Sequence, residues 1–405
     1  MKLKRIPEDF RVDELTDVTP ATGPFALYRL TKRWMGTPEA VEALAETWRI
    51  ERARVSYGGL KDFHAVTTQY LTIEHGPRRD LRQARFDVAY LGQVAQPFQA
   101  SDVVGNGFQV VLRDLDAATA ANGQAVLADL TVTGVPNYFD DQRFGSLGAS
   151  GQFIAEAWCR GDYERALWLA LADPNEHDTP ARREDKSILR AQWGNWPACL
   201  DRVSQPDNWR ILQLLSHRPT DFRSALARLP IDLRSLYVAA FQSHLWNRLL
   251  DRYLRTEFRP GQLGELPLRL GPGAFPRHVE QSHAAPLARC ELPLPSARLK
   301  PEPGPIRDLL DETLREFGIE LREIRIKYPR DTFFSKGYRR AAYFPDDLTH
   351  ALAGDDLYPG RQKLSLTFRL PRGSYATLLV KRLTAELEYD HPRGQDAPEN
   401  AASTN

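Results

Sequence analysis

Leu364, Leu366, Phe368 and Leu370 alternate with Ser365, Thr367 and Arg369, the sharpest two-residue period in the chain, and predict a strand with one buried face. Phe25–Leu30 alternates in part, and Ala65–Ile73 is rich in β-branched and aromatic residues, so both read as strands. Further strands are expected over Phe86–Leu91 and Phe108–Leu112, the latter after the turn-type cluster Gly105-Asn106-Gly107. One helix interrupts this series. Thr37 reads as its capping hydroxyl, Pro38 as its first position and Glu39 as a first-turn acid, and Val41, Leu44 and Trp48 carry the period to about Ile50.

From about residue 150 the period changes from two to 3.6. Ile154, Ala157 and Trp158 share a helical face, as do Tyr163, Ala166, Leu167, Ala170 and Leu171; helices are also expected over 209–215, 222–226 and 236–250. After Arg259 the closely spaced Pro260, Gly261, Gly264, Pro267, Gly271, Pro272, Gly273 and Pro276 favour loops and short strands, and a second proline cluster runs from Pro293 to Pro305. No internal repeat is visible. β-rich character at both ends around a helical middle predicts one domain inserted into another: 1–150 with 330–390 as a split domain, 151–329 as the insertion and 391–405 as a polar, disordered tail.

The 405 residues, 42 % of them hydrophobic, suffice for a large core. With 54 basic and 53 acidic residues the net charge is +1, so a nucleic-acid partner would have to be met locally. One such place exists. Arg322, Arg325, Lys327, Arg330, Lys336, Arg339 and Arg340 face only Glu323 and Asp331 within residues 321–340, interleaved with Tyr328, Phe333, Phe334 and Tyr338. That pairing suits backbone tracking and base stacking, and equally a solvated face over core aromatics. Three scattered cysteines, Cys159, Cys199 and Cys290, argue against a disulfide framework. Neither a signal-type apolar stretch after MKLKRIPEDF nor an apolar run of about 18 residues is present, so a soluble, cytoplasmic protein is expected, with no membrane partner.

GxxxxGK[ST], HExxH and GxSxG are all missing, and the nine histidines show no ligand spacing; His64, two residues after Asp62, makes no metal pair by itself. What remains is Asp62, which follows two glycines and stands beside Lys61. An Asx-type turn explains it as well as a reactive carboxylate does.

Five blocks in order add a second warrant for the reactive reading. Gly59-Leu60-Lys61-Asp62-Phe63-His64-Ala65-Val66-Thr67-Thr68-Gln69 resembles the GxKDxxAxTxQ signature of the TruD-type pseudouridine synthases. Lys4-Arg5-Ile6-Pro7-Glu8-Asp9-Phe10-Arg11-Val12 resembles the family's KxxPEDFxV, and Gly105-Asn106-Gly107-Phe108 its GNxF strand. Gly134-Val135-Pro136-Asn137-Tyr138-Phe139-Asp140-Asp141-Gln142-Arg143-Phe144-Gly145 is similar to GVPNYFGxQRFG, with Asp140 in place of Gly, and Leu370-Pro371-Arg372-Gly373-Ser374-Tyr375-Ala376-Thr377 to LPxGSFAT. Between them, Ala240-Phe241-Gln242-Ser243-His244-Leu245-Trp246-Asn247 resembles AxQSxLFN.

The resemblance implies an α+β fold: a catalytic domain with a mixed, mainly antiparallel sheet, plus an inserted helix-rich α/β domain. It also implies isomerisation of uridine to pseudouridine in RNA, at uridine 13 of tRNA, with other RNA left open. Cofactors are not required, because no redox change or energy input is involved, and no protein partner is implied. Asp62 takes the role of the catalytic carboxylate; Lys4 is the candidate cation beside it and Lys61 the local competitor. Base extrusion needs a receiving surface. Phe108 is the candidate for stacking, Asn106 for a hydrogen bond to the nucleotide or to Asp62, and Tyr375, where the family has Phe, for lining the pocket. Phe63 stands where a basic residue is common, and Arg143 reads first as structural. The basic strip of seven cations between residues 321 and 340 is the expected RNA contact. Two other classes stay open, a nucleoside hydrolase or glycosidase using Asp62 and a catalytically idle RNA-binding protein.

Overall fold

The computed structural model describes residues 1–389; the stretch 391–405, expected to be disordered, lies outside the described residues. The chain divides into two compact units, Met1–Val135 together with the chain from Tyr343 on, and Pro136–Ala342. Among the described residues no helix is long and apolar enough to cross a membrane.

Unit one is built on a nine-stranded sheet of β1 (Phe10–Thr16), β2 (Phe25–Arg33), β3 (Val55–Tyr57), β4 (Val66–Glu74), β5 (Leu81–Arg82), β6 (Phe86–Val94), β7 (Val103–Leu115), β8 (Asp346–Gly354) and β9 (Gln362–Pro371). Its order is β8-β9-β7-β1-β4-β2-β6-β5, with β3 also on β4. Only β1 and β4 run parallel, which makes the sheet mixed and mainly antiparallel.

Register sets the inward face. Val12 lies opposite Thr67 on one side and Phe108 on the other, and Phe108 lies opposite Phe368. Paired residues share a face of the pleat, so Phe10, Val12, Glu14, Asn106, Phe108, Thr67, Gln69, Leu30, Lys32 and Phe368 form rows on one side. Arg11, Asp13, Gln109, Thr367 and Arg369 are exposed on the other. Helix Thr37–Trp48 covers the β2 end of the inward face, where Ala40, Val41 and Leu44 join Tyr28, Leu30, Leu71 and Ile73 in one core. Helix Ala117–Thr133, capped by Asp116 Oδ1 on the Thr119 N–H at 2.7 Å, packs on β9 and on helix Ala376–Tyr389. At Gly105 a Cβ would stand 2.6 Å from the Leu370 carbonyl oxygen, so glycine lets β7 and β9 close there.

The start of helix Thr37–Trp48 differs from expectation. Gly36 is the cap and Thr37 already belongs to the first turn, with Glu39 Oε2 accepting from the Gly36 N–H at 3.3 Å. The Thr37 hydroxyl is thereby released for other partners.

A buried ion cluster locks the N-terminal turn to the sheet. Arg113, 4 % exposed, donates to Asp9 Oδ1 (2.8 Å), Asp355 Oδ1 (2.8 Å) and Asp356 Oδ1 (2.9 Å). Asp9 Oδ2 also accepts from the Arg5 and Ile6 N–H groups at 3.0 and 3.2 Å.

Unit two is mainly helical. Helices Ile154–Arg160, Tyr163–Leu171, Pro180–Ala191, Pro206–His217 and Phe222–Ala227 enclose Trp158, Leu167, Leu189, Trp196, Leu212, Leu215 and Leu226. The long helix Ile231–Glu257 follows, and its AxQSxLFN block clamps main chain: Gln242 Nε2 donates to the Pro295 and Ser335 carbonyls, each at 2.9 Å, and Asn247 Nδ2 to the Phe139 carbonyl, also at 2.9 Å. The glycine- and proline-rich stretch forms short strands Leu263–Leu266 and Gly273–Pro276, as its composition predicts, but also a helix, Gln281–Arg289.

Candidate active site

The Gly59–Asp62 loop crosses the inward face at the β2–β4 junction and is held from beneath at three points. Thr37 Oγ1 accepts from the Lys61 N–H (3.0 Å) and donates to Gln69 Oε1 (2.8 Å), while Gln69 Nε2 donates to the Gly59 carbonyl (3.2 Å). Lys32, 1 % exposed, donates to the carbonyls of Met35 (2.7 Å), Asp62 (2.8 Å) and Lys61 (3.3 Å). Three acceptors satisfy the three N–H bonds of an ammonium. Burial nevertheless pushes this ammonium down to about 8, with the Asp62 charge opposing the shift.

Above this support the Asp62 side chain faces Lys4, whose Nζ lies 3.4 Å from Asp62 Oδ2, both about one-third exposed. Lys4 adopts a left-handed backbone conformation (φ 49°), and its ammonium also sits 3.9 Å from the centre of the Phe10 ring. Phe10 meets Phe108 edge-on at 6.2 Å, and Phe108 stacks on Phe368 at 5.3 Å. Phe108 is 8 % exposed; it belongs to an aromatic column that starts at the Lys4 ammonium.

Lys61 turns the other way. Its Nζ is 2.8 Å from Glu14 Oε1 and donates to Asn106 Oδ1, also at 2.8 Å, while Glu14 Oε2 accepts from the Tyr70 N–H at 2.8 Å. Lys4, Asp62, Asn106 and Phe108 are thus collected in one part of unit one, with Asn106 tied to Lys61 rather than to Asp62. Tyr375 is half-buried and its carbonyl accepts from the Tyr343 hydroxyl at 2.7 Å. Leu60, Phe63 and Trp34 are exposed around the loop, with His64 edge-on to both Phe63 (4.8 Å) and Trp34 (5.5 Å).

The basic strip lies in unit two. Arg322, Arg325, Lys327, Arg330, Lys336 and Arg340 are exposed, whereas the Arg339 guanidinium lies 4.2 Å from the Phe139 ring centre and donates to Asn137 Oδ1 at 2.6 Å. Arg322 pairs with Glu320 at 2.6 Å. Of the interleaved aromatics, Tyr328, Phe333 and Tyr338 are exposed and Phe334 is core. Asp331 is held below the usual carboxylate range by the nearly buried Arg234, which binds both its oxygens at 2.6 and 3.0 Å. The cations therefore face solvent with one of their two sequence neighbours of opposite sign already paired. Arg143 packs its guanidinium 5.4 Å from the Phe139 ring centre.

A carboxylate beside an ammonium on a loop held at three points, next to an aromatic column on a mixed sheet, with the KxxPEDFxV, GxKDxxAxTxQ, GNxF and LPxGSFAT blocks all in unit one, defines an α+β pseudouridine synthase. Residues 1–383 match the family described as tRNA pseudouridine synthase D (TruD), and the chain belongs to that family. It is 28 % identical over 399 residues to the tRNA pseudouridine synthase D of Leptospira interrogans, covering 94 % of this chain and 95 % of that one. With the Aquifex aeolicus protein of the same name it shares 27 % identity over 397 residues, covering 95 % and 98 %. A solved Methanosarcina mazei structure assigned to TruD has the same fold, with a TM-score of 0.71 at 23 % identity over 95 % of this chain and 93 % of that one.

Lys32 and Glu14 were not singled out by sequence, and Thr37 was singled out only as a helix cap. Glu14 had a signal: it stands at the inward position of Phe10-Arg11-Val12-Asp13-Glu14, where an acid requires a buried partner. Lys32 carries a comparable one, a cation that continues the inward positions of β2 after Tyr28 and Leu30, both core.

Proposed function

We propose that this protein isomerises uridine to pseudouridine at position 13 of tRNA in the cytoplasm, with Asp62 as the reacting carboxylate. The observation that carries the reading is the Lys4–Asp62 pair at 3.4 Å on a loop whose backbone is fixed by Lys32, Thr37 and Gln69. The N-glycosidic bond breaks, the uracil turns, C5 bonds to ribose C1′, the C5 proton is lost and N1 takes up a proton, so atoms balance without a cofactor. A carboxylate at this place can attack C1′, attack C6 or take the C2′ proton; each needs the ionised form, and Lys4 supplies the matching charge.

The extruded uracil rests against the aromatic column at Phe108, with Asn106 at its edge and Tyr375 lining the pocket. Unit one, Met1–Val135 with the chain from Tyr343 on, serves as the catalytic domain and Pro136–Ala342 as the inserted TRUD-type domain, an insertion longer at both ends than the 151–329 expected from sequence. The exposed cations at 322, 325, 327, 330, 336 and 340 contact RNA phosphates, while Arg339, expected among them, is held by Asn137 and the Phe139 ring instead; Tyr328, Phe333 and Tyr338 are available to bases. The relatives' names support tRNA as the substrate.

Asp62→Asn tests the reading. Pseudouridine in tRNA is expected to vanish while the melting temperature and tRNA affinity hold; appreciable turnover in that variant refutes the role of Asp62. Release of free uracil by the wild type would instead make the protein a hydrolase.

A further inference from the structure

An asparagine amide can present either its carbonyl oxygen or its NH2 group to a ligand, and a rotation of 180° exchanges them. Asn106 lacks that freedom. It lies at the register position opposite Glu14 on β1 and Leu370 on β9, half-buried, with Oδ1 2.8 Å from Lys61 Nζ. An ammonium has three donors and no acceptor, so only the oxygen can face it. Lys61 is itself held, because its Nζ pairs at 2.8 Å with a Glu14 carboxylate whose side chain is fully buried and whose other oxygen takes the Tyr70 N–H. Turning the amide would set NH2 against NH3⁺ and cost the ammonium its hydrogen bond to the amide oxygen. The Asn106 NH2 group has no partner among the described residues.

We propose that Glu14 and Lys61 lock Asn106 as a hydrogen-bond donor toward the reacting base, and that this donor grips O4 of uracil, giving selection for uridine over cytidine. The proposal rests on the pseudouridine synthase reading above. Uracil and cytosine differ at C4, where one offers a carbonyl acceptor and the other an amino donor. A fixed donor meets the first and leaves the second unpaired in a half-buried site, the kind of mismatch a binding site rejects most strongly. Asn106 is then a specificity residue that touches substrate; Lys61 and Glu14 are positioning residues that act through it.

The experiment uses tRNA with uridine, 4-thiouridine or 2-thiouridine at the reacting position, in single-turnover assays read by nucleoside chromatography, with tRNA affinity measured in parallel. Sulfur accepts hydrogen bonds poorly, so wild type is expected to convert the 4-thio substrate about tenfold or more slowly than uridine, and the 2-thio substrate near the uridine rate. Asn106→Asp keeps an oxygen for Lys61 but has no N–H to offer; it should slow the uridine reaction, leave tRNA affinity unchanged and bring the 4-thio ratio close to one. Lys61→Met frees the amide to turn and should reduce the same ratio. A full 4-thio effect in Asn106→Asp, or an effect at the 2-thio substrate instead, overturns the proposal. Failure of the wild type to make any pseudouridine would overturn the functional reading itself.

Discussion

Lys32 offers a test of the loop support that is independent of turnover. Its ammonium titrates at 10.5 when solvated and at about 8 in the folded protein, because burial disfavours the charge. Below pH 8 both states hold the proton and the cost of burying it is fully present. Between about 8 and 10.5 the unfolded chain binds more protons than the folded one, so unfolding free energy rises with pH. The gap corresponds to about 3 kcal/mol over that window. Lys32→Met removes the titration. At pH 7 it leaves the carbonyls of Met35, Lys61 and Asp62 short of a donor, at about 1–3 kcal/mol for each that finds no other partner, offset by the charge no longer being buried. The expected result is a variant weaker than wild type by a few kcal/mol at pH 7, with the difference widening by about 3 kcal/mol above pH 10.5. Tyrosines and cysteines whose burial raises them above this window titrate in it once unfolded, equally in both proteins, and cancel. Urea unfolding from pH 7 to 10.5, followed by circular dichroism, reads this directly. Parallel stability curves would mean that Lys32 titrates as a solvated amine, and the account of the loop would fail.

Other consequences are open to measurement. Arg113→Met leaves Asp9 and Asp355 buried without their cation, so thermal unfolding should register a loss of about 3–5 kcal/mol, and a change under 1 kcal/mol would refute the locking role. His244 packs against Phe153 at 4.9 Å and Phe317 at 5.4 Å, and burial, aided by Arg248, pushes its imidazole down to about 4. Its contribution is complete above pH 6.5 and is lost as pH falls toward 4, by up to about 3 kcal/mol; His244→Phe should flatten that acid limb. Replacing Arg325, Lys327, Arg330 and Lys336 by alanine should lower the slope of log affinity for tRNA against log salt by up to about 3, and an unchanged slope would remove the strip from the interface.

Elements whose burial is one-sided were legible in sequence. β9 stands where Leu364 to Leu370 alternate, and helix Tyr163–Leu171 where its apolar residues recur. β8, Asp346–Gly354, escaped because its side chains are almost all exposed, leaving no alternation to read. Helix Ala117–Thr133 escaped for a different reason: alanines and threonines spread around it define no polar face. Helix Pro305–Glu316 was hidden by the prolines before it, one of which simply begins it. At the site, the motifs named Lys4 as the cation beside Asp62 and Lys61 as its competitor; what decides between them is Glu14, which draws Lys61 across the sheet. Thr37 was read as a cap because its sequence context suits one; tertiary contacts with Gln69 and Lys61 claim the hydroxyl instead.

The stacking of Phe108 on Phe368 bears on how the protein is made. The two rings are brought together by pairing of β7 with β9, and the Arg113–Asp355 bond beside them joins positions 242 residues apart. At about 5–20 residues per second, a ribosome needs roughly 10–50 s after releasing the first ring to supply the second. Until then β7 presents an open edge, and the aromatic column ends at Phe108. A nascent chain already carrying Lys4, Asp62 and Asn106 is therefore unfinished for most of its synthesis, and premature termination before β9 yields a polypeptide without the closing strand rather than a shortened enzyme.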